Sequence, residues 1–169
     1  MSALARGTVK LEPFNSQWAY AFAKEASAIK DKLGPDNIKD IQHVGSTSIS
    51  GILSKPIIDI AIPVDNLDIA DRWQQSLAEL GYWYKGKQSD MPDRRFFAKG
   101  PDDDRTVYLH IVTKEEFNRL IKFRDTLRNN KDLANEYSVL KQELAKKYSK
   151  DRESYTKAKD EFIQEIINS

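Results

Sequence analysis

His43-Val44-Gly45-Ser46-Thr47-Ser48, followed by Lys55-Pro56-Ile57-Ile58-Asp59-Ile60, is the stretch that decides the fold class. The first run leaves a short apolar segment, expected as a strand over residues 38–44, through a turn of small residues. Glycine lets the backbone approach a ligand closely, and successive amides with the Ser46 and Thr47 hydroxyls can surround a phosphate. The second run enters a strand expected over residues 56–64. Its Ile57, Ile58, Ile60, Ile62 and Val64 place apolar groups on both faces, the pattern of a central strand. Pro63 implies that backbone pairing fails near its end. The spacing lets the two strands lie side by side, with one acid, Asp59, inside the second. A carboxylate buried there without a partner is costly, so Asp59 must meet a cation, a set of donors or solvent. A magnesium ion facing a cleft is one answer; a salt bridge to Lys55 or an arginine is the other. Two residues on, where a second metal-binding acid would share the face, stands Ala61.

Outward from this centre the periodicities are clear. Trp18, Phe22, Ala26, Ile29 and Leu33 recur at three- and four-residue steps and predict a helix. It starts near Asn15 or Ser16 and ends at Gly34-Pro35. A second helix is expected from Asp65 or Asn66, with Ile69, Trp73, Leu77 and Leu80 inward and Gly81 closing it. Strands are expected over residues 82–84, 94–98 and 106–112, with turns over 85–93 and 100–104. Thr113 and Glu116 have capping-box spacing and open a helix. Two more helices follow, capped by Asp132 and Asp151. The charge runs after Lys131 read as solvated helix faces. The chain is therefore an α+β unit of 169 residues with a helical C-terminal third. It is most simply one domain, an α/β core over 1–113 and C-terminal helices over 114–169.

Composition excludes several classes of function. Lys and Arg number 27 against 26 Asp and Glu, a net charge of +1, which leaves no global electrostatic footprint for nucleic acid. Without cysteine there is no disulfide, no thiolate catalysis and no Cys-based zinc site; a reducing cytoplasm fits. The first seven residues lack the apolar core of a signal peptide. No segment approaches the roughly 20 apolar residues that span a bilayer.

Only two histidines are present. In residues 106–112, strand alternation puts Tyr108, His110 and Val112 on one face. If that strand neighbours the one bearing Asp59, His110 reaches the same cleft as metal ligand, base or phosphate donor; otherwise it is a hydrogen-bonded core histidine. His43 borders the Gly45 turn and can contact a ligand there or orient the loop from below. Lys55, Arg94 and Arg95 can neutralise phosphate charge, and alternation sends one of the two arginines to the cleft side. Arg124-Asp125 interrupts an apolar stripe and reads most simply as a structural pair.

These residues resemble the GrpB family, a group of mostly uncharacterised bacterial proteins related to the nucleotidyltransferases. The resemblance runs from Lys10-Leu11-Glu12-Pro13-Phe14 and Trp18 to the end. It rests on Ile41-Gln42-His43-Val44-Gly45-Ser46-Thr47-Ser48, Lys55-Pro56-Ile57-Ile58-Asp59-Ile60, Leu109-His110-Ile111-Val112 and Phe123-Arg124-Asp125-Thr126-Leu127-Arg128. The segment from Asp151 to Ile163 adds to it. It implies a nucleotidyltransferase-like mixed sheet flanked by helices, and relatives fused behind dephospho-coenzyme A kinase imply nucleotide chemistry nearby or an assisting domain. Two departures stand out: Ala61 replaces the second acid of active nucleotidyltransferases, and Tyr108 replaces a histidine frequent in relatives.

The leading expectation is a site for a nucleotide or phosphorylated small molecule, with nucleotidyl transfer to a small-molecule acceptor. There Gly45, Ser46 and Thr47 hold the triphosphate, Asp59 binds Mg2+, and His110 serves as ligand or base. Lys55 and Arg94 offset phosphate charge, and His43 borders the ligand. The alternatives are a binding module that has lost turnover, for which Ala61 speaks, and a helper domain that meets a protein partner through its C-terminal helices.

Overall fold

The structure, a computed structural model, describes residues 9–88, 91–101 and 105–169. The leader reading of the first seven residues, and parts of the turns expected over 85–93 and 100–104, lie outside these. Five strands form one mixed sheet. They are β1 (Gln42–Val44), β2 (Ile58–Val64), β3 (Tyr82–Gln88), β4 (Met91–Lys99) and β5 (Val107–Thr113), in the order β1-β2-β5-β4-β3. β2 and β5 run parallel and the other neighbours antiparallel. The helices are α1 (Gln17–Leu33), α2 (Ile69–Glu79), α3 (Lys114–Asn129), α4 (Lys131–Lys147), α5 (Arg152–Ala158) and α6 (Asp160–Asn168). The α+β class and the helical C-terminal third are as the sequence predicts.

Alternation divides the sheet into two faces. Ile58, Ile60 and Ile62 of β2, Leu109 and Ile111 of β5 and Phe97 of β4 are wholly buried against Trp18, Ile29 and Leu33 of α1 and Trp73 and Leu77 of α2. Complete burial of side chains this size contributes roughly 1.5–3 kcal/mol each. The opposite face carries Asp59, Ala61, Phe96, Tyr108, His110 and Val112. There α3 covers one end, closing a small apolar cluster of Val44, Ala61, Val112 and Phe117. A third cluster ties Phe123 and Leu127 of α3, Ala134 and Tyr137 of α4 and Ile166 of α6 to Ile49 and Ile52, on the connection between β1 and β2. The last helices thus share a core with the segment that carries the Gly45 turn.

Several boundaries differ from expectation. Only Gln42–Val44 pair as β1, because Ile38 and Ile41 are apolar to fill the core rather than to join a ladder. Pro63 stays within β2, opposite Val112 of β5. β1 has run out opposite Ala61, so Pro63 has a neighbour on one side only. α2 begins at Ile69, after a turn in which the Asn66 side chain accepts from the Asp68 amide at 2.9 Å. The hairpin strands extend into the stretch expected as a turn. Gly86, at φ +81°, takes up a register irregularity in β3, and Pro92 lies beyond the last β5 pairing of β4. Thr113 caps α3 as expected, accepting from the Glu116 amide at 3.3 Å, and Asp151 caps α5. At α4 the cap is Asn130, which accepts from the amides of Asp132 and Leu133, rather than Asp132.

Candidate functional site

The sheet face bearing Asp59 and the helices α4, α5 and α6 enclose a cleft of about 850 Å3. Its floor begins at the register between strands. Val44 of β1 and Tyr108 of β5 flank Asp59 of β2, and His110 lies opposite Ala61. His110 Nε2 is 3.0 Å from Asp59 Oδ1, and His110 Nδ1 is 3.4 Å from Arg94 Nη1. A guanidinium can only donate, so Nδ1 accepts and Nε2 carries the proton toward the carboxylate. Burial lowers the His110 pKa, against the pull of Asp59. The ring is therefore neutral and aims its N–H at Asp59. Arg94 is the arginine that faces the cleft, and it is ion-paired with the buried Glu116 of α3. Its charge is thereby already matched.

The Gly45 turn presses on the same carboxylate. Gly45 has φ +70° and ψ −175°, a conformation nearly reserved for glycine. A Cβ added there would stand 2.5 Å from Asp59 Oδ2. The Thr47 and Ser48 hydroxyls of the turn point into the protein, whereas Ser46 lines the cleft. Thr47 Oγ1 donates to the Ile57 carbonyl at 3.1 Å and so accepts from His43 Nε2 at 3.0 Å. Ser48 Oγ donates to the Gly45 carbonyl at 2.6 Å. His43 itself is buried on the other face of β1, stacked on Phe22 with ring centroids 5.0 Å apart. Burial, reinforced by Arg128 and Arg124 against the pull of Asp59, lowers its pKa to about 4. It orients the loop from below, and the structure does not bring it to the cleft.

Arg124 and Arg128, one turn apart on α3, brace this loop. Arg124 Nη1 donates to the His43 carbonyl at 3.0 Å and to Gln42 Oε1 at 2.9 Å. Arg128 donates to the Ser48 carbonyl at 2.9 and 2.7 Å. Arg124 does pair with Asp125, yet its longer reach fixes the loop on both sides of Gly45.

The far wall comes from the C-terminal helices and is cationic. Lys55 Nζ and Lys159 Nζ lie over the Tyr155 ring, 5.4 and 4.7 Å from its centroid. Arg152 lies over Tyr108 at 5.6 Å. Lys141, only 1% exposed, donates to the Leu53 carbonyl and lies 4.7 Å from the Tyr137 centroid. Burial and mutual repulsion lower the pKa of Lys55 well below its usual value. Burial, with Lys159 adding repulsion, brings Lys141 to about 7; burial brings Lys159 to about 8, with Asp59 and Asp160 pulling it back up.

Sequence profiles and solved structures point the same way. The profile of the family described as GrpB protein matches residues 8–169. The chain belongs to the GrpB family. It is 36% identical over 174 residues to the glutamate-rich protein GrpB of Alkalihalophilus pseudofirmus, covering 99% of both chains. The crystal structure of the conserved protein GrpB from Enterococcus faecalis superposes with a TM-score of 0.85 at 33% identity, over 94% of this chain and 95% of that one. A stretch of 82 residues is 32% identical to the dephospho-CoA kinase of Mycobacterium bovis, covering 47% of this chain and 20% of that protein.

Within this GrpB fold the donor set argues against a protein-built metal centre. Among the described residues no group of three or more His, Asp or Glu side chains could hold a metal ion. Asp59 Oδ1 is engaged by His110, and Ala61 is wholly buried among Val44, Val112 and Phe117. Hard cations want several oxygen ligands, and these residues offer one carboxylate beside a wall of cations.

The charge runs after Lys131 are not all solvated faces. Lys141 is buried, and Arg152 and Lys159 line the cleft. A signal for two of them is legible in hindsight: Tyr137 with Lys141 and Tyr155 with Lys159 are both four residues apart, so each Lys rises beside a buried Tyr. Among the described residues, no helix is long and apolar enough to cross a membrane.

Proposed function

We propose that this chain binds a nucleotide or another phosphorylated small molecule in the cleft between the Asp59 face of the sheet and the C-terminal helices. The observation that carries the reading is the arrangement of charge. Lys55, Arg152 and Lys159 gather around a cavity large enough for a nucleotide-sized ligand, with Asp59 on its floor. Ala61, sealed in an apolar cluster, speaks for binding without two-metal turnover.

A second reading, nucleotidyl transfer to a small-molecule acceptor, is favoured by the Asp59–His110 pair at 3.0 Å on the cleft floor. In it the acceptor hydroxyl oxygen bonds to the α-phosphorus as the bond to the leaving pyrophosphate breaks. The hydroxyl proton passes to the Asp59 carboxylate, held in place by the His110 N–H.

Calorimetric titration of ATP, GTP, CTP, UTP and coenzyme A, with magnesium and with chelator, tests both. Saturable binding of one of them supports the binding reading, and no binding of any removes it. Transfer requires in addition a turnover that Asp59→Ala abolishes while nucleotide binding persists.

A further inference from the structure

Several partly buried cations away from the wall are ion-paired. Arg94 has Glu116, Lys99 has Glu25 at 2.8 Å, and Lys32 has Glu79. Lys55, Arg152 and Lys159 make no ion pair among the described residues, and Arg152 Nη2 is buried without a hydrogen-bond partner. These three groups come from the connection before β2, the first residue of α5 and the junction of α5 with α6. Two of them lie over one ring, that of Tyr155, which is buried at the centre of the wall. Lys141 stands behind them, anchored on the Leu53 carbonyl. The acids that act on this cluster are Asp59 from β2 and Asp160 beside Lys159; Asp151 and Glu153 border the cleft with Lys150.

Gathering like charges in a partly desolvated wall is unfavourable unless an anion completes it. The Thr47 and Ser48 hydroxyls of the Gly45 turn are already bonded within the protein, so the phosphates of a ligand draw most of their donors from this wall. We propose that Lys55, Arg152 and Lys159, backed by Lys141, form a metal-independent clamp for a diphosphate group, the part of the ligand that seats α5 and α6 on the core. The inference rests on the cleft-binding reading and deepens it by assigning the anionic pole of the ligand. Two linked phosphates suit it because three cations converge from separate segments, more charge than a single phosphate matches. Guanidinium and ammonium donors supply what a divalent ion supplies elsewhere. A magnesium-masked diphosphate is the weaker ligand.

The test is calorimetry with inorganic pyrophosphate on the full chain, in chelator and in excess magnesium, with orthophosphate as comparison. The expected result is binding in chelator, at least tenfold weaker for orthophosphate and weaker again with magnesium. Lys159→Gln and Arg152→Gln should each weaken pyrophosphate at least tenfold. They should also raise the melting temperature of the unliganded protein by about 2–4 °C, because each relieves repulsion. That opposite sign separates a clamp from a structural role, in which stability and binding fall together. Binding that needs magnesium, equal affinity for orthophosphate, or pyrophosphate affinity unmoved by both substitutions overturns the clamp. So does the absence of pyrophosphate binding by the unmodified protein. If nucleotides still bind in any of these cases, the cleft reading survives without the clamp; if they do not, both fall.

Discussion

Replacing Gly45 by alanine tests the link between backbone and site most directly. The residue has φ +70° with ψ −175°, and holding a non-glycine residue there costs on the order of 1–3 kcal/mol. The new methyl would stand 2.5 Å from Asp59 Oδ2, 3.0 Å from Cγ and 3.1 Å from Cβ. Ordinary contact begins near 3.4 Å, so the carboxylate must retreat by close to an ångström, and overpacking of this kind costs roughly 1–3 kcal/mol. Gly45→Ala should therefore lose about 2–6 kcal/mol, a large part of the roughly 5–15 kcal/mol typical of a domain. The retreat also breaks the 3.0 Å bond from His110 to Asp59. Urea denaturation measures the loss. Nuclear magnetic resonance of the ring protons, simple with two histidines per chain, reports His110. Asp59→Ala removes the two nearest atoms, so in the double variant the collision component should largely disappear and leave the backbone component. A coupling of at least about 1 kcal/mol is expected from such neighbours. A cost below about 1 kcal/mol for Gly45→Ala, or strictly additive effects, would refute the reasoning.

Other expectations follow from the same geometry. Lys141 at about 7 and Lys159 at about 8 lie below the free value of about 10.4, so between those limits the unfolded chain binds more protons than the folded one. Unliganded stability should rise from pH 7 toward pH 10, by on the order of 2 kcal/mol from Lys159, and be lowest below pH 7. Urea unfolding at pH 7 and 9.5 should show a smaller gain in Lys159→Gln; equal gains would contradict the assignment. Ala61→Asp puts a carboxylate among Val44, Val112 and Phe117 and should cost about 3 kcal/mol or more, visible as a lowered melting temperature that magnesium does not restore. Recovery with magnesium would show that a metal centre can form there. Asn130→Ala should cost about 1 kcal/mol and Asp132→Ala under half of that, since Asn130 carries the α4 cap; the reverse order in urea titrations would return the cap to Asp132.

The sequence by itself determined the elements and the centre. The alternation of Ile58, Ile60 and Ile62 about Asp59 specified a central strand with one acid on its second face, because the side-chain period of a strand is fixed. The Gly45 turn, the Thr113 cap and the Asp151 cap were legible because backbone geometry and capping are local chemistry. The pairing of His110 with Asp59 was legible only as a condition, since it needs β5 beside β2. The tertiary structure alone decided what long-range packing decides. Nothing near Asp132 in the chain shows that Asn130 already holds the first amides of α4. Nothing near Thr47 shows that the Ile57 carbonyl takes up its hydroxyl. Lys141, Arg152 and Lys159 read as solvent-facing because charge on a helix usually is. They line the cleft because α4, α5 and α6 fold back over the sheet, far from Asp59 in sequence. A charge pattern specifies a helix face, and the docking of that helix specifies whether the face meets water or a binding site.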